Sequence, residues 1–190
     1  MADKGRPRSE KTQKAILTAA YKLLMSEGFQ SVTVESIAKE ALVSKATIYK
    51  WWPNKAAVVV DSFFSEVQER MKKPDTGSVK EDLIIQLTNL NNFFKTDKGR
   101  VITELIAQGQ FDTEVASAYR TRYFIPRRVI AIEILERGIK RGEVKKDLDM
   151  ELCVDIIFAP LFYRMLITGS EMNHQHIKDV VEYTMQGIGT

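Results

Sequence analysis

Residues 34–52, VESIAKEALVSKATIYKWW, carry the clearest structural pattern in this chain. The stretch holds two short segments with apolar residues at helical spacing, separated by a turn that ends at Ser44. Small and apolar residues are placed to fill the angle between the two segments and to anchor the second one from below. These residues are Ile37, Ala38, Val43, Ile48 and Trp52. We therefore predict a helix-turn-helix.

The outward side of the second helix is polar and aromatic. Its outward residues are Lys45, Thr47, Tyr49, Lys50 and Trp51. Such side chains donate hydrogen bonds and offer aromatic surface, as a recognition helix does where it meets a major groove. The free amides at residues 44–46 also favour a phosphate at the start of this helix. A two-turn helix inside an ordinary bundle would need none of these features, so the pattern indicates DNA binding.

Charge is unevenly distributed along the chain. Residues 1–55 carry ten Lys and Arg against five Asp and Glu, whereas residues 56–190 carry 18 against 20. A basic amino-terminal unit therefore precedes a slightly acidic larger one, which suggests that a polyanion binds the first unit. Charge alone is equally compatible with an ordinary solvated surface.

Helical spacing recurs along the whole chain, with N-cap residues between the apolar segments. Ser9 and Thr33 are expected to cap the first two helices, and Gly28 to end the first with a positive φ. Further caps are expected at Ser44, Ser78, Asp112 and Asp149. Pro126 should kink or divide the long helix that follows Asp112.

No segment alternates as a strand does, and we predict an all-α fold with about nine helices. A three-helix helix-turn-helix DNA-binding domain at residues 1–54 would precede a larger helical domain at residues 55–190. Gly and Pro make up 15 of 190 residues, too few for a turn-rich β fold. With 44% hydrophobic and 28% charged residues the chain has the composition of a globular protein.

Composition also excludes several classes of protein. Cys153 is the only cysteine, which excludes an internal disulfide or a thiolate metal set and indicates a reducing compartment. Asp155 and Arg164 interrupt the most apolar stretch, residues 154–169, which is too short to span a bilayer. We expect a cytoplasmic protein that makes no membrane contact.

The amino-terminal part resembles the tetracycline-repressor (TetR) family over residues 6 to about 64. Several short elements at fixed spacing carry the resemblance. They are Ile16-Leu17, Ala19-Ala20, Gly28-Phe29, Val32-Thr33-Val34, Ile37-Ala38, Ala41-Leu-Val-Ser44, Thr47-Ile-Tyr49 and Trp52-Pro-Asn-Lys55. The family usually has Gly in the turn where this chain has Leu42. Residues 139–143 (IKRGE) and 160–166 (PLFYRML) look like the common AcrR-like carboxy-terminal type.

The resemblance implies DNA contacts at the matching positions. Thr33 and Lys55 would hold phosphates from helix ends, and Tyr49 and Trp51 would press on the DNA backbone. The residues that would face base edges are Lys45, Ala46 and Thr47. Arg6 and Arg8 would form a flexible arm entering the adjacent minor groove. Thr33 and Ser44 are equally N-caps without DNA, and Arg6 and Arg8 would also suit a disordered tail.

The segment from Met150 to Thr168 is apolar around most of its circumference, so we expect it to be buried on more than one side. Together with the last helix, at residues 173–187, it would form half of a two-fold four-helix interface. A homodimer of this kind would bind a roughly palindromic stretch of double-stranded DNA.

Aromatic residues are concentrated in the middle of the chain, where each taken singly is more often core than ligand contact. Members of the family bind small molecules in this unit, so the resemblance implies that some of these residues line an apolar cavity. The residues we select for it are Phe94, Tyr123, Phe158 and Phe162. The function implied is a repressor that a small apolar or amphipathic effector releases from its operator.

Two other classes of function remain open. A DNA-binding protein that responds to a protein partner differs from the favoured hypothesis because it predicts no internal cavity. An enzyme is the remote alternative, since His174 and His176 lie on nearly opposite helix faces and Cys153 lies in an apolar run. No catalytic residue, metal site or cofactor is expected.

Overall fold

All regular structure in the described part of this computed structural model is helical. The structure describes residues 6–67 and 73–190, with side chains for residues 9–66 and 73–190. The α-helices are α1 (Arg6–Ser31), α2 (Val34–Glu40), α3 (Lys45–Tyr49), α4 (Lys55–Val67), α5 (Val79–Phe94), α6 (Asp97–Gln108), α7 (Thr113–Tyr119), α8 (Ile125–Arg141), α9 (Met150–Tyr163) and α10 (His174–Ile188).

Two π-turns, Arg120–Phe124 and Arg164–Thr168, continue α7 and α9. Because α7, its π-turn and α8 run on without a break, the described residues form nine helical segments. The predicted all-α fold is thereby confirmed.

The first helix shows one correct and one wrong expectation. Gly28 interrupts α1 with φ 76° and ψ 164°, as its position predicted. The expectation that Ser9 caps this helix is wrong, because α1 already begins at Arg6. Pro7 suits the first turn of a helix, where its fixed φ is helical and its missing amide costs no hydrogen bond.

The later caps form as the local sequence predicts. The Ser78 side chain accepts from the Glu81 amide, Asp112 from two amides of α7, and Asp149 from the Leu152 amide. A further cap, which was not predicted, begins α10, where Asn173 accepts a hydrogen bond from the His176 amide. These bonds satisfy amides that have no partner inside their own helix.

The long helical region after Asp112 changes to a π-turn just before Pro126, at the place where a kink or a division was expected. Proline has no amide hydrogen to donate to the carbonyl four residues earlier, which belongs to Arg122. The π-turn Arg120–Phe124 lies at this point and absorbs the irregularity.

The described residues fall into two compact units. Residues up to 67 together with 101–124 form the first, and residues 73–100 together with 125–190 form the second. In the first unit, α4 packs against α1, α7 and the π-turn after α7. Its fully buried side chains include Ile16, Leu24, Ile37, Ile48, Phe63 and Leu105. In the second unit, α5, α8, α9 and α10 enclose a separate core, which includes Leu83, Leu87, Ile134, Leu135, Ile157 and Val181.

Candidate nucleic-acid interface

The helix-turn-helix consists of α2 and α3 with a tight turn between them. Thr33 begins α2 with a reciprocal cap: its side chain accepts from the Ser36 amide, and the Ser36 hydroxyl oxygen accepts from the Thr33 amide, each over 3.0 Å. Ile37 and Ala38 point into the core of the first unit, and Val43 is half-buried. The wedge predicted between the helices is therefore filled.

Ser44 begins α3 and positions Thr47. The Ser44 hydroxyl oxygen accepts from the Thr47 amide over 3.2 Å, and the two hydroxyls share a hydrogen bond of 2.9 Å. The Thr47 hydroxyl therefore uses either its proton or one lone pair in the bond to Ser44. Its remaining hydrogen-bonding capacity can be directed at a base edge.

The second helix, α3, is five residues long. α3 ends at Tyr49, after which the amides of Trp51 and Trp52 both donate to the Ile48 carbonyl. Trp52 is buried, whereas Tyr49 has half of its surface exposed. Lys45, Ala46 and Lys50 are also exposed, and Trp51 is half-buried. The predicted base- and backbone-facing residues are therefore exposed or half-exposed over residues 45–51, around the buried Ile48.

Lys45 already has an acidic partner. Its ammonium lies 2.6 Å from Glu35 Oε1 on α2, and both side chains are more than half exposed. The hydrogen bond between them raises the pKa of Lys45 and lowers the pKa of Glu35. An exposed pair of this kind is weak and screened by salt, so DNA can displace Glu35 from Lys45.

Lys55 is directed inward. Its ammonium donates to the Phe29 carbonyl oxygen over 3.0 Å and lies 4.2 Å from the centroid of the Phe29 ring. Burial lowers the pKa of Lys55, while the nearby carboxylates of Asp112 and Glu104 oppose that shift. The amino end of α4 is itself capped by Asn54, whose Oδ1 accepts from the Ala57 amide.

Leu42 occupies the turn in an unusual conformation. Its φ is 55°, and among the described residues it is the only residue other than glycine with a positive φ. The side chain is 92% exposed. A tight turn between α2 and α3 requires this left-handed conformation, which glycine adopts without cost and leucine does not.

Arg6 and Arg8 are the two interface candidates whose side chains lie outside the described residues. Their backbone belongs to the first turn of α1 and not to an extended arm.

Three polar side chains that the sequence did not single out hold the helix-turn-helix in place. Glu104 on α6 accepts from the Phe29 amide over 3.0 Å, directly after the interruption at Gly28. Asp61 on α4 accepts from the Trp52 indole over 2.7 Å and from the guanidinium of Arg122 in the π-turn. A buried indole N–H needs an acceptor, which was the one signal for Asp61 in the sequence.

The predicted ligand residues are divided between the two units. In the second unit, the Phe94 and Phe162 ring centroids are 5.4 Å apart, and Phe94 and Phe158 pack against the core while staying half-buried. Tyr123 lies in the first unit, where it is buried and stacks on Phe64 with centroids 4.2 Å apart.

Two of the residues weighed as enzyme candidates have surroundings that the structure defines. His176 Nδ1 accepts from the Asn173 amide at the start of α10, and burial raises the pKa of the Cys153 thiol. Within the described part of the chain, no group of three or more His, Cys, Asp or Glu could hold a metal ion. The described helices include none that is both long enough and apolar enough to cross a membrane.

Comparison with known proteins agrees with this geometry. Residues 16–61 match the family described as bacterial regulatory proteins, tetR family, and residues 73–184 match the tetracyclin repressor-like, C-terminal domain. The chain belongs to the TetR family. The second match covers the region where the sequence showed only two short resemblances, at residues 139–143 and 160–166.

Relatives support the same assignment over the whole chain. The Bacillus subtilis (strain 168) HTH-type transcriptional regulator YdeS is 52% identical over 185 residues, which is 97% of this chain and 93% of that protein. The regulator AqdR of Rhodococcus erythropolis is 29% identical, covering 77% of this chain and 70% of its own. The crystal structure of the TetR family transcription regulator SCO0332 has a TM-score of 0.80 and 34% identity, with 94% and 98% of the two chains covered. This TetR-family chain is thus similar to helix-turn-helix transcriptional regulators along nearly all of its length.

Proposed function

We propose that this TetR-family regulator represses transcription from a roughly palindromic operator and is released by a small apolar or amphipathic molecule. The observation that carries the DNA-binding part is the exposed side of residues 44–51, where donors and aromatic surface lie over a buried anchor, Trp52. In this proposal Lys45, Ala46 and Thr47 face base edges, as a recognition helix does in a major groove.

The backbone contacts form a second set. Thr33, Ser44, Tyr49, Lys50 and Trp51 are assigned to phosphates and sugars, and Arg6 and Arg8 to the adjacent minor groove. Lys55 reaches a phosphate in this proposal by leaving the Phe29 carbonyl. Residues 1–54 are assigned to DNA binding, and residues 55–190 to effector binding and dimerisation.

Effector binding is supported by aromatic side chains that the second core leaves partly uncovered. Phe94, Phe158 and Phe162 are half-buried, and the first and last of them contact each other. On the same helix as Phe94, Gln86 Oε1 and Thr88 Oγ1 are buried without a hydrogen-bond partner among the described residues. Buried polar atoms are normally hydrogen-bonded, so a polar group of an amphipathic effector is their proposed partner. Tyr123 belongs to the other unit and stays a separate prediction.

Dimerisation is supported by an apolar stripe that lies on the surface of α9 and its π-turn. Leu152, Ile156, Tyr163 and Ile167 repeat at helical spacing, and each is about half exposed or more. Tyr183 on α10 is exposed as well. A stripe this long is unusual on a monomer, and a two-fold contact between equivalent helices would cover it.

Two linked measurements test the proposal. Operator DNA is first selected from a random duplex library with the purified protein, and a library of apolar and amphipathic small molecules is screened for thermal stabilisation. Each stabilising compound is then added during an operator titration. We expect operator affinity to fall by about ten- to one-hundred-fold, with the same loss of ligand affinity in the presence of DNA. Effector release is refuted when saturating concentrations of every stabilising compound leave operator affinity unchanged, or when the screen yields no binder.

A further inference from the structure

The Asp61 carboxylate joins the end of the helix-turn-helix to a distant part of the chain. Its Oδ2 accepts from the Trp52 indole Nε1–H over 2.7 Å and from Arg122 Nη1–H. Arg122 is separated from Asp61 by 61 positions in the sequence, yet both lie in the first compact unit. One oxygen atom therefore receives both donors.

The surroundings make these bonds strong. Trp52 is 4% exposed, and less than a third of the Asp61 side chain is exposed. A carboxylate partly shielded from water binds a guanidinium and an indole N–H more tightly than it would at an open surface. If the guanidinium moved away, the carboxylate would lose the partner that fixes its position, and the indole would lose a fixed acceptor.

The π-turn determines where Arg122 lies. This turn, Arg120–Phe124, forms where Pro126 removes an amide from the helical ladder. The next residue in the turn, Tyr123, stacks on Phe64 with its ring inclined by only 20°. Asp61 and Phe64 are three residues apart and lie on one face of α4. Arg122 contacts the first and Tyr123 the second, so two consecutive residues of the π-turn are held by the same face of α4.

We propose that Arg122 is a positioning residue for the recognition helix and acts through Asp61 on Trp52. Its guanidinium holds the carboxylate that holds the indole, and the indole fixes the end of the segment that begins at Ser44. Movement of the π-turn relative to α4 therefore changes how α3 is presented to DNA. The proposal rests on DNA binding by α3 but not on a small-molecule effector.

The experiment compares Arg122→Met, which removes the charge and keeps the bulk, with Arg120→Met. Arg120 lies in the same π-turn and is exposed, so its substitution is a matched control for charge. Both changes are also made in a Trp51→Phe background, where Trp52 is the one remaining tryptophan. Operator affinity is measured across salt concentrations, and Trp52 emission and its quenching by acrylamide are measured without DNA.

We expect Arg122→Met to weaken operator binding by about five- to tenfold while leaving the salt slope unchanged, and to alter Trp52 emission and quenching. Arg120→Met should leave the Trp52 signal as in the parent. Asp61→Asn should behave like Arg122→Met. The variant that combines the two changes should bind operator no more weakly than either single variant, because Arg122, Asp61 and Trp52 act in series.

Three results would overturn the proposal. The first is an unchanged operator affinity in Arg122→Met, and the second is a weakened affinity with Trp52 emission identical to the parent. The third is a salt slope reduced by about one, since that assigns Arg122 to a DNA phosphate. Should Arg122→Met fail to fold by circular dichroism, Arg122→Lys replaces it, with the same three readouts and a smaller expected effect. If the unsubstituted protein binds no operator DNA, the proposed function itself is refuted.

Discussion

The Lys55 ammonium binds Phe29 twice, through the carbonyl oxygen at 3.0 Å and over the ring at 4.2 Å from its centroid. Because Phe29 directly follows the interruption at Gly28, this contact joins the end of α1 to the start of α4. Lys55 therefore has a structural partner in the absence of DNA, and a phosphate contact would have to replace it.

Replacing Lys55 should separate these two roles. We expect Lys55→Ala to lower the free energy of unfolding by about 1 kcal/mol, because a hydrogen bond from a charged donor and a cation–π contact are lost. It should also weaken binding to all DNA sequences alike and reduce the salt slope by about one. Lys146→Ala, an exposed site in the second unit, controls for the loss of one charge. A salt slope equal to that of the parent would exclude the phosphate contact.

Thr47 is expected to affect which DNA is bound more than how tightly DNA is bound. Thr47→Ala should change the order of preference within a panel of operators that differ at single base pairs, because a group facing base edges is lost. Thr47→Ser keeps the hydroxyl that bonds to Ser44 and should keep that order. Competition binding to the panel measures both. An unchanged order in Thr47→Ala would exclude readout by this side chain.

The exposed stripe on α9 gives a test of dimerisation. Ile156→Lys places a charge in the proposed two-fold contact, where burial would be costly. We expect this variant to be a monomer by light scattering at micromolar concentration, and to lose at least about tenfold in operator affinity because the second half-site no longer contributes. Phe111→Lys, at a 93% exposed position of the first unit, should remain a dimer. A dimeric Ile156→Lys variant would place the interface elsewhere.

Replacing the turn residue Leu42 by glycine should stabilise the protein. Leu42 has a φ of 55°, which costs a leucine steric energy and a glycine none. We therefore expect Leu42→Gly to raise the free energy of unfolding by about 0.5–1 kcal/mol. This value includes the opposing effect of the more flexible unfolded chain. Leu42→Ala keeps the strained backbone and loses only exposed surface, so chemical denaturation should find it close to the parent. A Leu42→Gly variant no more stable than Leu42→Ala would show that the turn carries no strain.

Asp82 should contribute to stability in a pH-dependent way. This carboxyl is buried, and burial by itself raises its pKa; hydrogen bonds from Thr76 at 2.8 Å and Arg137 at 3.2 Å outweigh burial, so the pKa is lowered overall. A lowered pKa in the folded state means that the stabilisation is present above the ordinary aspartate value, about 3.9, and is lost as the pH falls further.

Substitution at Asp82 tests that dependence. At neutral pH, Asp82→Asn should lower the free energy of unfolding by about 2 kcal/mol, because the ion pair with Arg137 is broken. The difference from the parent should shrink as the pH falls below about 4. Asp75→Asn removes an exposed carboxylate near the same arginine and should have little effect. A difference that does not change with pH in urea denaturation would contradict the ionic role.

Features that depend on neighbours within one helical turn could be predicted from the sequence. Thr33, Ser44, Asp112 and Asp149 cap helices because a short polar side chain reaches an amide two or three residues ahead. Gly28 interrupts α1 because its backbone adopts a positive φ without steric cost. The exposed and buried sides of residues 44–52 followed from helical spacing for the same reason, so the candidate interface was predictable.

The distant side chains that hold the candidate interface became known from the tertiary structure. Glu104 meets Phe29 and Arg122 meets Asp61 across 75 and 61 positions, and residues 101–124 join the amino-terminal helices in one compact unit. The contact of the Lys55 side chain with Phe29 is likewise long-range, since the two residues are 26 positions apart. No local spacing encodes these pairs, because they form when apolar helix faces pack and carry their polar side chains to wherever a buried donor needs an acceptor.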